Sequence, residues 1–322
     1  MEQIESQSNG GQKLAAVLIG TLGSGLLFSA SLAVPVIGFV SAFLAPVPLG
    51  LARIKGGSAI AGFSALLATL LLAVLFSPPI GAWYAVQCGL IGLLVPELAL
   101  RGFRPSRTII WTTAAGVTLT ALITAAYVIS NGIHLQLFIQ KEITDSINQA
   151  TRLYEQYAGL PAQDLEILKQ GMQSVGQIMS RTYPALTTIN LGLVTAVTLL
   201  LFMRIATRLA VAVNGSPFKE FRTPEPLVWL LIVAGFTMLA PSALLTTPAL
   251  NILSVLGVLY FMQGLAVLLT LCERSSFAST VKVLLGIILL TQPYLVVVVT
   301  VLGIFDYWGD FRTPRTTQEE NL

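Results

Sequence analysis

The sequence predicts an all-α polytopic membrane protein, with eight to nine transmembrane helices and a helical hairpin inserted outside the bilayer. Three observations predict it. Hydrophobic residues make up 55% of the chain and charged residues only 10%, where a soluble domain carries about 25% charged. The apolar residues run in unbroken blocks of about 17–25, the length that crosses roughly 30 Å of hydrocarbon, and not in the alternation of a barrel strand. One stretch, 130–183, interrupts these blocks with nine charges: Lys141, Glu142, Asp145, Arg152, Glu155, Asp164, Glu166, Lys169 and Arg181. The mean hydropathy of +0.80 agrees.

Residues 1–13 are polar and are expected to form a disordered cytoplasmic N-terminus. Glu2 and Glu5 oppose Lys13 there, so the basic start of a cleaved signal peptide is missing. The first membrane block, 14–129, holds about five helices, near 14–33, 36–54, 57–77, 82–100 and 108–129. Pro35, Pro46 and Pro48 allow 14–54 to be one crossing plus a broken or re-entrant piece, which gives eight crossings instead of nine. Ser77-Pro78-Pro79 and the segment Arg101–Arg107 separate the later helices. The second membrane block, 184–304, holds about four, near 184–203, 227–245, 249–272 and 280–304, and 305–322 is a tail.

Within 130–183 the apolar residues repeat at helical spacing. Ile143, Ile147, Ala150, Tyr154 and Tyr157 share one face. After a break at Gly159-Leu160-Pro161, Leu165, Leu168, Met172, Val175 and Met179 share another. Two amphipathic helices joined by a turn produce this pattern.

Orientation follows from lysine and arginine. With nine crossings and the N-terminus inside, inner loops hold twelve of the eighteen basic residues. The hairpin is then extracytoplasmic and the protein multi-pass. The net charge of +3 carries little meaning as a total, and no basic cluster is long enough for nucleic acid. Cys88 and Cys272 lie in apolar blocks at different expected depths and read as packing residues.

Catalysis has little material. His134 is the one histidine, and HExxH, GxSxG, a Walker A loop and paired intramembrane aspartates are all missing from the sequence. The chain is expected to be no enzyme, and to need no metal or cofactor. Glu97 is read as the one carboxylate well inside an apolar block, and Arg101, four residues on, can pair with it on the same helix face. Val47–Arg53 and Val95–Arg101 share a Val-Pro start and a Pro-to-Arg spacing, a hint of a repeated unit.

Uncharged polar residues also lie deep in apolar blocks and must find partners there. Gln87 and Asn251 are two. Asn190, Tyr260, Gln263 and Gln292 are the candidate ligand-binding set, for a small neutral or zwitterionic molecule. Gly25, Ser29 and Ala33 repeat every fourth residue and offer a face for close helix approach, a candidate docking face for a partner subunit. The loop 204–229 places Phe218, Phe221 and Trp229 beside Lys219 and Arg222. Aromatic and basic residues at a membrane face anchor to headgroups or dock a partner subunit, such as an ATPase.

Three segments together resemble the YybS-like predicted membrane proteins of bacteria, a domain of unknown function. They are Ala45-Pro46-Val47-Pro48-Leu49 with Arg53, Ser216–Arg222 with Pro224, Pro226 and Trp229, and Tyr260–Ala266 followed by Gly303–Arg312. The resemblance implies the bacterial cytoplasmic (inner) membrane. It also implies a remote similarity to the substrate-binding subunits of energy-coupling-factor vitamin transporters and to the rod-shape protein MreD, from whose roughly six helices this chain departs. Two functions follow as expectations. One is a small-molecule binding or transport component with an energising partner. The other is a cell-envelope scaffold or interaction protein.

Overall fold

The structure, a computed structural model, describes residues 2–33, 35–157, 162–215, 218–273, 278–292 and 294–312. Gly159-Leu160-Pro161, Ser216-Pro217, Arg274, Pro293 and the tail from residue 313 lie outside the described residues. Those described are helical almost throughout, with no strand among them. The chain divides into two compact units, residues 1–138 with 187–216, and 139–186 with 217–322.

In the first unit, α1 (Glu2–Leu18) passes through a π-helical turn (Ile19–Gly23) into α2 (Ser24–Ala33). Residues 2–13, expected as a disordered tail, are the opening turns of this helix. The apolar span supplies the nucleus, and Glu, Gln and Lys extend it across Gly10 and Gly11, which cost about 1 kcal/mol each. α3 (Pro35–Leu44) packs back along α2, so closely that a Cβ on Gly38 would lie 2.6 Å from the Ser31 carbonyl oxygen. α4 (Val47–Gly56) follows, with proline in its first turn, where a missing N–H costs nothing. The 36–54 block is thus two ten-residue helices, each too short to cross. The block is broken, as one of the two expectations had it.

Gly57, at φ +86°, turns the chain sharply into α5 (Ser58–Leu75); any side chain there would be strained. Ser77 is extended, as a residue before proline must be, and α6 (Pro78–Tyr84) starts after it. A second π-helical turn (Ala85–Leu90) joins α6 to α7 (Ile91–Leu100), and α8 (Pro105–Asn131) begins on an extended Arg104 and a proline. Phe28, Leu72, Tyr84 and Cys88 form one buried cluster, and Ile91, Val95, Leu191, Val194 and Phe202 another.

The second unit contains most of α9 (Leu135–Tyr157) and the start of α10 (Ala162–Arg208) as the expected hairpin. Ile143 and Ile147 close over Gly176, the Thr151 hydroxyl lies 3.6 Å from Met172 Sδ, and Lys169 pairs with Glu155 at 2.8 Å. Val175 and Met179, expected on the inner stripe, are exposed instead. The inner face turns through Gly176 because a Cβ there would collide with Ile147.

α10 carries Pro184 inside it, which has no N–H to give Ser180 O, and a side chain from another helix bonds the backbone groups next to it. Asn251 accepts from Ala185 N at 2.9 Å and donates to Arg181 O at 2.8 Å, the two groups an unbroken helix would join to each other. Asn251 thus finds the partners its apolar setting required. It lies on α12 (Ala243–Glu273), which follows α11 (Pro226–Thr237); α13 (Ala278–Thr291) and α14 (Tyr294–Gly309) complete the unit. The expected 280–304 block is divided between α13 and α14, and the 227–245 block is helical only to Thr237 before turns around Pro241. Six described helices are long and apolar enough to cross a membrane: Gly10–Ala33, Ser58–Leu75, Pro78–Leu100, Pro105–Asn131, Gln163–Arg208 and Ala243–Glu273. Pro226–Thr237 and Tyr294–Gly309 are apolar but shorter.

Candidate functional site

In the second unit α12 and α14 touch backbone to backbone. A Cβ on Gly303 would collide with the Tyr260 carbonyl, and one on Gly264 with the Val299 carbonyl. Glycines at such a crossing allow helix contact that any side chain would prevent. The approach sets Asp306, one turn beyond Gly303, against Gln263, one turn beyond Tyr260. Asp306, Gln263 and Tyr260 are buried, at 2%, 2% and 0% exposure.

Gln263 is engaged at both ends of its amide. Its Oε1 accepts from Thr223 N at 2.9 Å and from the Thr223 hydroxyl, and its Nε2 donates to Asp306 Oδ2 at 3.2 Å. The Thr223 N–H can only donate, so it fixes which end of the amide faces the loop and leaves the NH2 for the carboxylate. Asp306 Oδ2 also pairs with Arg312 Nη2 at 2.9 Å, with side-chain exposures of 0% and 9%. Arg312 donates further to Lys219 O at 2.8 Å. A buried ion pair survives only with such extra hydrogen bonds, because both charges have lost water. Asp306 Oδ1 and the Tyr260 hydroxyl have no hydrogen-bond partner among the described residues.

An open cleft of about 310 Å³ adjoins this network, lined by Lys219, Glu220, Arg222, Thr270 and Arg312. Lys219 pairs with Glu273 at 3.2 Å and Arg222 with Asp310 at 2.7 Å, both in exposed positions. Chemically, the cleft offers three cations and a hydroxyl to an anionic group, and Glu220 to an amine.

The sequence-predicted residues distribute unevenly. Tyr260 and Gln263 come together, whereas Gln292 is exposed between α13 and α14, and Asn190 is exposed and belongs to the first unit. Phe218 and Phe221 stack with ring centroids 6.1 Å apart beside the cleft residues, and Trp229 is 70% exposed, as a headgroup anchor would be. Gly25 is buried with nothing near a built Cβ, Ser29 is partly buried and Ala33 exposed. Close approaches within this unit lie at Gly20, against Ser64 and Ala52, and at Gly23, against Pro48. Glu97 does pair with Arg101 at 2.8 Å, and Arg53 joins at 2.9 Å on the other carboxylate oxygen.

Sequence reasoning missed Thr223, Asp306 and Arg312 as site residues. Asp306 closes an apolar run and precedes Tyr-Trp-Gly-Asp, so it reads as the start of a tail. The Gly264 and Gly303 pair was the available clue, since it predicts which helices touch. The first unit holds a further oddity. Thr112, Thr195 and Thr198 are at most 1% exposed, yet their hydroxyls and Gln87 Oε1 have no partner among the described residues. Most buried hydroxyls elsewhere bond a carbonyl one turn back, as Thr151 and Thr182 do.

A family model described as predicted membrane protein (DUF2232) matches residues 24–307. The uncharacterized protein YybS of Bacillus subtilis (strain 168) is 28% identical over 96 residues, which is 29% of this chain and 31% of that relative. The chain thus matches about a third of the length of that curated relative. No solved structure matches it.

Proposed function

The chain belongs to the DUF2232 family of predicted membrane proteins, and from that premise we propose that it is the small-molecule-binding component of a membrane transport system, similar in role to an energy-coupling-factor substrate-binding subunit. The observation that carries this reading is Arg312, which lines the open cleft while its charge is held by the buried carboxylate of Asp306. Ionisable groups inside a membrane protein are costly and mark binding or transport sites. The two exposed pairs at the rim, Lys219–Glu273 and Arg222–Asp310, are weakly held. An incoming carboxylate or phosphate can displace both acids. The ligand class is therefore a small molecule bearing one of those groups. The cleft is at the lower end of ligand-pocket volumes, roughly 300–1,000 Å³. No nucleotide-binding motif is present in the sequence, so import would need an energised partner, docked through Phe218, Phe221 and Trp229.

The test is native mass spectrometry of the protein purified in mild detergent. A small carboxylate or phosphate compound in near-stoichiometric amount, lost in Arg222→Gln, is the expected result. The reading is abandoned if the wild type carries none and no member of a carboxylate and phosphate panel raises its melting temperature.

A second reading, an MreD-like envelope interaction protein, is favoured by the hairpin. Ile167, Val175 and Ile178 are each more than half exposed there, and solvent-facing apolar residues in a group suit a protein partner. Loss of function on deleting 135–180, with Arg222→Gln harmless, would select it.

A further inference from the structure

We infer that the first unit carries a separate binding site for anionic phospholipid headgroups, built at one end of the unit from the ends of four helices. α4 brings Arg53 and Lys55 in its last turn, α7 ends at Arg101, α8 begins with Arg104 and Arg107 flanking Pro105, and α10 ends with Arg204 and Arg208. Contacts hold these ends together. Glu97 grips Arg53 at 2.9 Å and Arg101 at 2.8 Å, and Asn214, just beyond α10, donates to Gly102 O at 2.8 Å.

The charge balance is one-sided. Seven bases meet the single carboxylate of Glu97, which leaves six positive charges uncompensated. Lys55, Arg104, Arg107, Arg204 and Arg208 are exposed and have no acidic partner among the described residues. Glu2 and Glu5, in the opening turns of α1, are the unit's other acids. An excess of basic residues in loops would by itself leave both units alike. The second unit differs: its ten Lys and Arg residues are outnumbered by twelve Asp and Glu, and Lys219, Arg222 and Arg312 each face an acid.

Lipid fits better than an acidic protein for three reasons. Arg101, Arg104, Arg107, Arg204 and Arg208 stand at the ends of helices long enough to span a membrane, and so at headgroup depth, and Glu97 ties Arg53 of the shorter α4 to the same end. Trp111 follows Arg107 by one turn and is 62% exposed, which is the aromatic and basic pairing of a membrane interface. Six of the seven bases are arginine, whose planar fork matches a phosphate with two parallel hydrogen bonds. Clustered bases at this depth attract anionic lipid, each adding several-fold to the affinity.

The experiment uses the full-length protein in dodecyl maltoside, mixed with equimolar phosphatidylglycerol and phosphatidylcholine and read by native mass spectrometry. Phosphatidylglycerol should be retained over phosphatidylcholine by about tenfold. Raising sodium chloride to about 0.5 M should cut the preference to about twofold, as the screening length shortens. Arg104→Gln with Arg107→Gln and Arg208→Gln should do the same, while Lys219→Gln with Arg222→Gln leaves it intact. If the triple variant does not fold, the salt series on the wild type decides alone. A wild type without preference, or a preference indifferent to salt, overturns the inference. So does displacement by inorganic phosphate at equal concentration, which would make this a free-phosphate site, or tight binding of polyglutamate in place of lipid. None of these outcomes touches the cleft of the second unit.

Discussion

Asn251→Leu tests whether one side chain repairs the break that Pro184 makes in α10. Asn251 bridges Ala185 N and Arg181 O, and leucine of similar size removes both bonds without opening a large hole. Hydrogen bonds between membrane helices average about 0.6 kcal/mol each, so the bonds alone account for about 1 kcal/mol. Ala185 is 2% exposed, so its N–H would be left buried and unpaired, whereas Arg181 is exposed and its carbonyl can reach water. One unsatisfied buried group adds about 1–2 kcal/mol. The expected loss is then about 2 kcal/mol, measured by reversible unfolding in mixed detergent and sodium dodecyl sulfate. The sharper test is a cycle with Pro184→Ala. Without the ring, Ala185 N can bond Arg181 O directly, so Asn251→Leu should cost under about 0.5 kcal/mol in that background, a coupling of about 1.5 kcal/mol. Additive effects, or a single-variant loss below about 0.5 kcal/mol, would refute the repair.

Asp306→Asn leaves Arg312 buried without its counter-charge and should cost about 3 kcal/mol, while Asp306→Asn with Arg312→Gln should cost less than the two singles together; unfolding curves check both. Gly303→Ala forces a Cβ into the Tyr260 carbonyl and should lower stability by several kcal/mol, whereas Gly25→Ala meets no atom and should raise it by up to about 1 kcal/mol. Thr195→Val removes a hydroxyl with no partner among the described residues and should change stability by less than about 0.5 kcal/mol; a loss above about 1 kcal/mol would reveal a bound water or ligand at that hydroxyl.

The membrane class, the hairpin and the Glu97–Arg101 pair were all legible, because each rests on a local rule: block length, helical period, and four-residue spacing. Contacts between helices were not. Gly20 and Gly23 make the close contacts in this region. Both lie inside the π-helical turn at Ile19–Gly23, whose extra residue a count at 3.6 residues per turn does not include. The deep amides divide for a similar reason. Asn251 and Gln263 both satisfy broken or looped backbone, a need created by Pro184 and by the loop at Thr223, while Asn190 and Gln292 face outward. An amide in an apolar run shows that a partner is required and leaves open which backbone supplies it.

The likeness of Val47–Arg53 to Val95–Arg101 shows how far such local marks reach. The two segments do meet: Gly92 packs on Pro46 and Leu49, Gly50 packs on Pro96 and Phe202, and Arg53 reaches Glu97. They do not belong to a two-helix unit used twice. α4 is a ten-residue helix after a break, and α7 is the end of a crossing that runs from Pro78 to Leu100. What recurs is a helix end. Aligned on their prolines, the two segments differ at Leu49 and Glu97, and that difference carries the chemistry. One carboxylate serves the arginines that close both segments. A carboxylate at both positions would compensate the bases and remove part of the charge excess at this end of the unit. The departure from the repeat, more than the repeat itself, makes this end an anion-attracting surface.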